Sequence, residues 1–368
     1  MNSLALVLSL LALQTPSAHV VPTTDPAISF SPYNWYRSAV YAQSPNPGAY
    51  LKLGFTGSQI GIDLDVSPLV EANVPAAQYP VVRYSVDGGP PTTVQLGPTT
   101  HSILCAKGLS GRDHQLLLQY VAGYVFLDFW TPVNVLRVTG FTLDNGASLV
   151  KPTRQERNVL FLGDSITNGD DDIATFAGGI TNAVDTQDAT LGYPVVVAAG
   201  LGAEYGIVAY GGASWDHTAA DRHTPGLMKS YAMLDSIHSR LAEGKLSPVP
   251  DDIFVNMGEN SPPSGDDVPK LLTALRSASG PQTSIFLIVP FSGRARSELK
   301  AGFDTYRSAS PSDKHSYVLD LGNNPYLPTG RATMFSVDGQ HPLASLHALL
   351  GAQLIAARGA LGISAGSK

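Results

Sequence analysis

From about residue 28 to residue 149 the chain alternates short apolar or aromatic runs with Gly, Pro, Asn and Asp. Residues 49–55, 60–64, 81–86, 115–120 and 135–141 carry the β-branched and aromatic side chains of strands, and Asp87-Gly88-Gly89 and Asp144-Asn145-Gly146 are turn signals. No strong helical period intervenes, so the spacing predicts an antiparallel sandwich of jelly-roll kind. Residues 151–157 form a polar, Pro-bearing link, and beyond it the period changes. Apolar strands at 158–162, 206–209, 252–257, 284–289 and 317–321 are interleaved with helical segments at 227–242, 268–278, 294–309 and 343–361. This βαβ rhythm predicts a parallel sheet covered by helices on both faces.

The 368 residues exceed a typical single domain, and the change of period divides them. Residues 19–151 are expected to form the all-β sandwich, and 152–368 a three-layer α/β/α domain. Ahead of both, residues 4–13 are an apolar run too short to span a bilayer, followed by Gln14-Thr15-Pro16-Ser17-Ala18, which has small residues suited to leader cleavage. Residues 1–18 therefore read as a signal peptide, with a secreted, extracellular protein as the expectation, and no later segment reads as transmembrane.

The apolar run 158–162 ends in Gly163-Asp164-Ser165, where a polar, helix-starting segment begins. A strand that turns into a helix there places Ser165 at the sheet's carboxyl edge, where open α/β sheets bind ligands. Unpaired helix N-terminal amides beside it can hold an oxyanion. Gly-Asp-Ser is also a common turn and cap tripeptide. The balance shifts at Asp338-Gly339-Gln340-His341-Pro342, which sets an acid and an imidazole three residues apart before the last apolar helix. Serine nucleophile, histidine base and a carboxylate to hold the imidazole tautomer are the types a triad needs. The GxSxG elbow of α/β-hydrolases is absent from the chain.

On these blocks the chain resembles the SGNH (GDSL-type) esterases. The first block stands as Gly163-Asp164-Ser165-Ile166-Thr167, the third as Gly258-Glu259-Asn260 and the last as Asp338-Gly339-Gln340-His341, in the family's order. The second, Ala209-Tyr210-Gly211-Gly212-Ala213-Ser214-Trp215, departs from the pattern. Its functional glycine falls on Ser214, whose backbone N–H can still donate, with Gly212 as the alternative. Ser261 also stands where an acidic residue usually follows the asparagine. The resemblance implies Ser165 as nucleophile, His341 as base, Asp338 as the group orienting His341, and an oxyanion hole of Ser165, Ser214 (or Gly212) and Asn260. Some sugar esterases of this type manage without the carboxylate. Ser31-Pro32-Tyr33-Asn34-Trp35 and the sandwich-then-hydrolase order look like carbohydrate esterases that carry a jelly roll ahead of an SGNH domain.

Other candidates weigh less. Asp164 is read as fixing its loop by hydrogen bonds. Asp170-Asp171-Asp172 lacks a nearby histidine and a spaced oxygen-ligand pattern, so it is read as a solvated loop rim; no metal and no cofactor are expected. His217 and His223, flanking Asp221, lack HExxH spacing and are read as loop or surface histidines. Trp215 either stacks on a sugar ring or packs under its loop.

Composition narrows the partners. Apolar residues at 43% can build real cores, and a net charge of −7, from 23 basic and 30 acidic residues without long like-charge blocks, argues against a nucleic-acid groove. The single cysteine, Cys105, excludes an intrachain disulfide and a multi-cysteine zinc site. The expected activity is a carboxylic ester hydrolase that removes short acyl groups, acetyl foremost, from a carbohydrate or other small ester, with no nucleic-acid or membrane partner. Two alternatives stand beside it: a lipase or thioesterase on lipid acyl esters, and a non-catalytic carbohydrate-binding protein.

Overall fold

The computed structural model describes residues 18–174, 184–216, 225–322 and 339–363. Two antiparallel sheets form the sandwich. One runs Tyr36–Arg37, Ala42–Ser44, Leu136–Asp144, Ile60–Leu64, Ser102–Ala106 in spatial order, with Ala18–Pro22 also on Leu136–Asp144. The other runs Leu149–Val150, Tyr50–Phe55, His114–Ala122, Val81–Val86, Thr92–Gln95, with Ser29–Phe30 added beside Tyr50–Phe55. The pleat sends Leu51, Leu53 and Phe55 inward against Ile60, Ile62, Leu116, Leu118 and Phe141. Tyr50 and Lys52 therefore face outward, toward the second domain. The helix Ser67–Glu71 between two strands lies where no helix was predicted.

The second domain is a five-stranded, wholly parallel sheet in the order Ala203–Ala209, Arg157–Gly163, Asp252–Asn256, Ser284–Ile288, Ser316–Leu319. Asp267–Ser279 buries Val268, Leu271, Leu272 and Leu275, an i, i+3, i+4, i+7 stripe, and with Arg296–Ala309 covers one face. Tyr193–Gly200 and Ala344–Ala360 cover the other through Tyr193, Val197, Leu346, Leu350 and Leu354. The predicted three-layer α/β/α arrangement is what the chain adopts. Among the described residues no helix is long and apolar enough to cross a membrane.

In the second domain two elements differ from the sequence expectation. The helix expected at 227–242 stops after Leu227–Ser230. Beyond it the Asp235 carboxylate accepts from the amides of Ile237 and His238, and the Arg240 guanidinium donates to the carbonyls of Tyr231, Met233 and Tyr33. Side chains that bond to the local backbone offer it an alternative to the helix, and here they win. Conversely, Tyr193–Gly200 is helical despite its Val195-Val196-Val197 run, because one side of that run packs on the sheet while Pro194 sits in the first turn.

The register aligns Phe161, Phe254, Phe286 and Tyr317 on four neighbouring strands. Their rings stack at centroid distances of 5.3, 4.7 and 5.5 Å, a ladder that ties the sheet together across its width.

The sandwich docks on the edge strand Ala203–Ala209. Asn34 donates from Nδ2 to the Ile207 carbonyl at 2.7 Å and accepts from the Ile207 amide through Oδ1 at 3.3 Å. Tyr50 accepts from the Tyr205 amide at 3.2 Å and donates to the buried Glu204 carboxylate, which also takes Lys52 Nζ at 3.0 Å and the Gln155 amide at 2.9 Å. Tyr36 stacks on His238 at 3.6 Å between ring centroids.

Phe254→Ala should remove the ladder's central rung and cost about 3–5 kcal/mol of stability. Urea unfolding at equilibrium checks this; an unmoved midpoint would show that the ladder contributes nothing beyond its neighbours.

Candidate active site

The strand Arg157–Gly163 runs without a linker into the short helix Ser165–Asn168. Asp164 caps that helix from an extended conformation, its Oδ1 accepting from the Ile166 amide at 3.1 Å. Gly163 has no alternative: a Cβ there would collide with Thr167 and with the Asn256 carbonyl of the next strand. Thr167 Oγ1 is hydrogen-bonded to the Tyr193 hydroxyl at 2.9 Å, which locks the turn against the covering helix.

His341 comes to this turn from the other end of the domain, its Nε2 lying 2.9 Å from Ser165 Oγ. Ser165 is buried and His341 half-buried. The helix after His341 is tied down at its first residue, where the Ala344 amide donates to the Asp172 carbonyl at 2.8 Å. Within that helix His347 is a core residue: its Nδ1 accepts from the Tyr193 amide at 3.2 Å, and burial, aided by nearby His341, holds its pKa down to about 3. It is a neutral packing group and not a second base.

The third block stands beside the second. Asn260 Nδ2 donates one hydrogen to the Ala213 carbonyl at 2.8 Å, bracing the two loops and leaving its second N–H hydrogen outside that bond. Ser214 is buried, its carbonyl accepting from the Leu227 amide at 2.9 Å, while Gly212 sits in the left-handed region at φ +74°. Trp215 is 1% exposed and packed among Tyr33, Phe129 and Leu227. It presents no face to a sugar, so packing is its role. Asp338, His217, Asp221 and His223 lie outside the described residues.

Asp170, Asp171 and Asp172 correct the sequence expectation of a solvated rim: all three are at most 2% exposed. Each accepts a hydrogen bond that brings it inward, Asp170 from Asn168 Nδ2, Asp171 from Thr186 Oγ1 and Asp172 from the Asp188 amide. Among the described residues no three His, Cys, Asp or Glu side chains converge as metal ligands. Asp164 is also buried, and desolvation, with Glu259 nearby, pushes its pKa up to about 7, opposed by the Ile166 amide and His341.

Glu259, to which the sequence assigned no role, is buried beside the Ser–His pair. Its Oε2 accepts from Ser292 Oγ at 2.5 Å, and its carbonyl accepts from Arg294 at 2.6 Å. Glu259, Ser292, Arg294 and Gln340 form the polar lining, and Ile166 and Phe291 part of the apolar lining, of a cavity of about 230 Å³. Ile166 beside Ser165, Gln340 and Pro342 on either side of His341, and Glu259 beside Asn260 border it. A larger concavity of about 430 Å³, at Arg276, Asp313 and His315, lies at the opposite, amino-terminal edge of the sheet and holds neither Ser165 nor His341.

No protein-family model and no curated protein matches the chain. Among solved structures it is similar to a family two carbohydrate esterase from Cellvibrio japonicus, at 17% identity and TM-score 0.73 over 92% of this chain and 96% of that one. It is also similar to a family two carbohydrate esterase from Clostridium thermocellum in complex with cellohexaose, at 18% identity and TM-score 0.69 over 91% and 99%. An acetyl xylan esterase from the rumen bacterium Butyrivibrio proteoclasticus matches at 16% identity and TM-score 0.70 over 94% and 99%. The chain thus has the fold of family 2 carbohydrate esterases, a jelly-roll sandwich followed by an SGNH domain, along nearly its whole described length.

Asp164→Asn should keep the cap, since asparagine caps as well as aspartate, while removing the cost of a buried charge. Below the ordinary aspartate range both folded and unfolded chains hold this proton, and nothing is gained there. Between that range and about pH 7 the unfolded chain ionises first, so wild-type stability falls as pH rises, and the penalty is complete above pH 7. Melting temperatures should therefore be equal near pH 4 and higher for Asp164→Asn at pH 8. Equal values at both would show that Asp164 ionises normally in the folded chain.

Proposed function

We propose that the chain is a secreted serine esterase that removes short acyl groups, acetyl foremost, from a carbohydrate. The observation that carries this reading is the 2.9 Å contact between His341 Nε2 and Ser165 Oγ at the carboxyl edge of the parallel sheet. In the proposed reaction His341 takes the Ser165 proton as Oγ attacks the ester carbonyl. The oxyanion is held by the Ser165 amide, by the amide of Ser214 or Gly212, and by the second N–H hydrogen of Asn260. Collapse releases the sugar alcohol, which receives the proton from His341, and leaves an acyl-Ser165; water repeats the sequence and frees the acid. Asp338 is assigned to the other imidazole nitrogen by its place in the last block, and secretion by the leader-like residues 1–18.

The cavity beside the pair favours this substrate class over lipid. At about 230 Å³ it falls below the usual range for larger ligands, and Glu259, Ser292, Arg294 and Gln340 line it. A long alkyl chain would strip water from these groups without replacing their hydrogen bonds, whereas a sugar ring supplies hydroxyls to them and an apolar face to Ile166 and Phe291.

Acetate release from acetylated xylan, mannan, chitin oligomers and peracetylated monosaccharides, alongside p-nitrophenyl esters from acetyl to octanoyl, tests the reading. Turnover should be greatest on acetyl esters, and Ser165→Ala and His341→Ala should each lose about 10³-fold or more, with the double variant no worse than either. Preference for octanoyl, or activity surviving in Ser165→Ala, would overturn it.

A further inference from the structure

Arg83, on the sandwich strand Val81–Val86, reaches into the hydrolase domain. Its Nη2 donates to Asp188 Oδ2 at 2.6 Å and its Nη1 to Thr190 Oγ1 at 2.7 Å, and next to them the Ala189 amide donates to the Val121 carbonyl of the sandwich at 3.0 Å. From Asp188 the path continues. The Asp188 amide donates to Asp172 Oδ1 at 2.7 Å, and the Asp172 carbonyl accepts from the amide of Ala344, the first residue of the helix that follows His341, at 2.8 Å. The same loop closes the nucleophile helix, where the Asp170 amide donates to the Ser165 carbonyl at 3.0 Å. One line of hydrogen bonds thus joins a guanidinium of the sandwich to the turn that carries the base.

We propose that Arg83 is a positioning residue for His341: by neutralising Asp188 it keeps the Asp188–Asp172 clasp shut, and so holds the first turn of the C-terminal helix with His341 Nε2 at Ser165 Oγ. The charge arrangement calls for such a cation. Asp170, Asp171, Asp172 and Asp188 are each at most 2% exposed, and Asp172 Oδ2 is buried without a hydrogen-bond partner among the described residues. Burial first, and then Asp188, Asp170 and Asp171, raise the Asp172 carboxyl well above its ordinary range, against the pull of the Asp188 amide. Asp188 is paired with Arg83. Take the guanidinium away and a buried charge stands uncompensated beside three other acids, which costs far more than a surface pair is worth. Spreading of the loop relieves that repulsion, and the loop is what Ala344 hangs on.

The kinetic consequence rests on the esterase reading; the mechanical link does not, and the test separates them. Full-length Arg83→Met, Arg83→Lys and Arg83→Met with Asp188→Asn are compared with wild type for p-nitrophenyl acetate hydrolysis and for hydrogen exchange at the Ala344 amide. Arg83→Met should lower kcat by about tenfold or more with KM within about twofold, since a displaced base weakens the reaction and not the binding. It should also speed exchange at Ala344. Adding Asp188→Asn removes the stranded charge but keeps the backbone donor to Asp172, so kcat and protection should return to near wild type. Arg83→Lys keeps the charge and should lie close to wild type even if the methionine variant folds poorly. Wild-type kcat and exchange in Arg83→Met would overturn the proposal, and so would a loss that Asp188→Asn does not restore, which would mark Arg83 as mere bulk. If wild type hydrolyses no ester the esterase reading fails, and exchange at Ala344 still decides the link.

Discussion

A parallel sheet must end, and its edge strand presents amides and carbonyls with nothing beside them. In this chain that edge is Ala203–Ala209, and the sandwich completes it with side chains instead of a sixth strand. Asn34 serves both backbone groups of Ile207, and the Tyr50 hydroxyl takes the Tyr205 amide. Glu204 is buried in the same seam and is stable there because Lys52, Tyr50 and the Gln155 amide surround it; these contacts hold its pKa below the ordinary glutamate range against the cost of burial. The sandwich is thus part of the hydrolase domain's own hydrogen-bond economy. Removing it would leave the backbone groups of Ile207 and Tyr205 without these partners and strand a carboxylate.

That docking matters for the candidate site because the carboxyl edge of the sheet is made of loops, and loops hold geometry only through what they touch. The sheet itself is fixed by the aromatic ladder and by apolar layers on both faces. Beyond the strand ends, Ser165 sits on a helix of four residues, too short for a macrodipole of consequence. In the proposed reaction, charge that develops on a bound ester must then be met by individual donors, which gives Asn260 and the second-block amides more weight there than helix polarity. The Asn260–Ala213 bond fits this need, since it sets one donor by reference to the loop that supplies another.

What the sequence revealed was what is local. The strand-to-turn change at Gly163 was readable because the residues that make it are consecutive, and the period change at the 151–157 link separated sandwich from α/β domain for the same reason. Ser165 and His341, 176 residues apart, were paired through the resemblance and by strand-end placement, and they do meet. Features decided by distant partners were misread or missed. Asp170 to Asp172 look like a solvated rim until Thr186 and Asp188 are brought against them. Helix 227–242 looks continuous until Arg240 is drawn toward the Tyr33 carbonyl of the other domain. Ser31-Pro32-Tyr33-Asn34-Trp35 marked the resemblance, yet only the fold shows why: Trp35 Nε1 donates to Ser31 Oγ, Tyr33 offers its carbonyl to Arg240 and Asn34 closes the sheet edge.

The acids buried at the catalytic edge share one physical logic. Past the last sheet residue, backbone amides lose their ladder partners, and carboxylates take several of them: Asp164 that of Ile166, Asp172 that of Asp188, Asp188 that of Thr190. For two of them burial penalises the ionised form, so Asp164 is pushed to about 7 and Asp172 well above its ordinary range. In the proposed reaction that cost has a return, because a carboxylate close enough to His341 to interact with it favours the imidazolium that forms as Ser165 gives up its proton. Asp164 is such a group, and near neutral pH it is divided between its two forms. Its help to the imidazolium therefore grows as pH rises through 7, over the same interval in which it costs the fold most, so activity and stability are set against each other by one side chain.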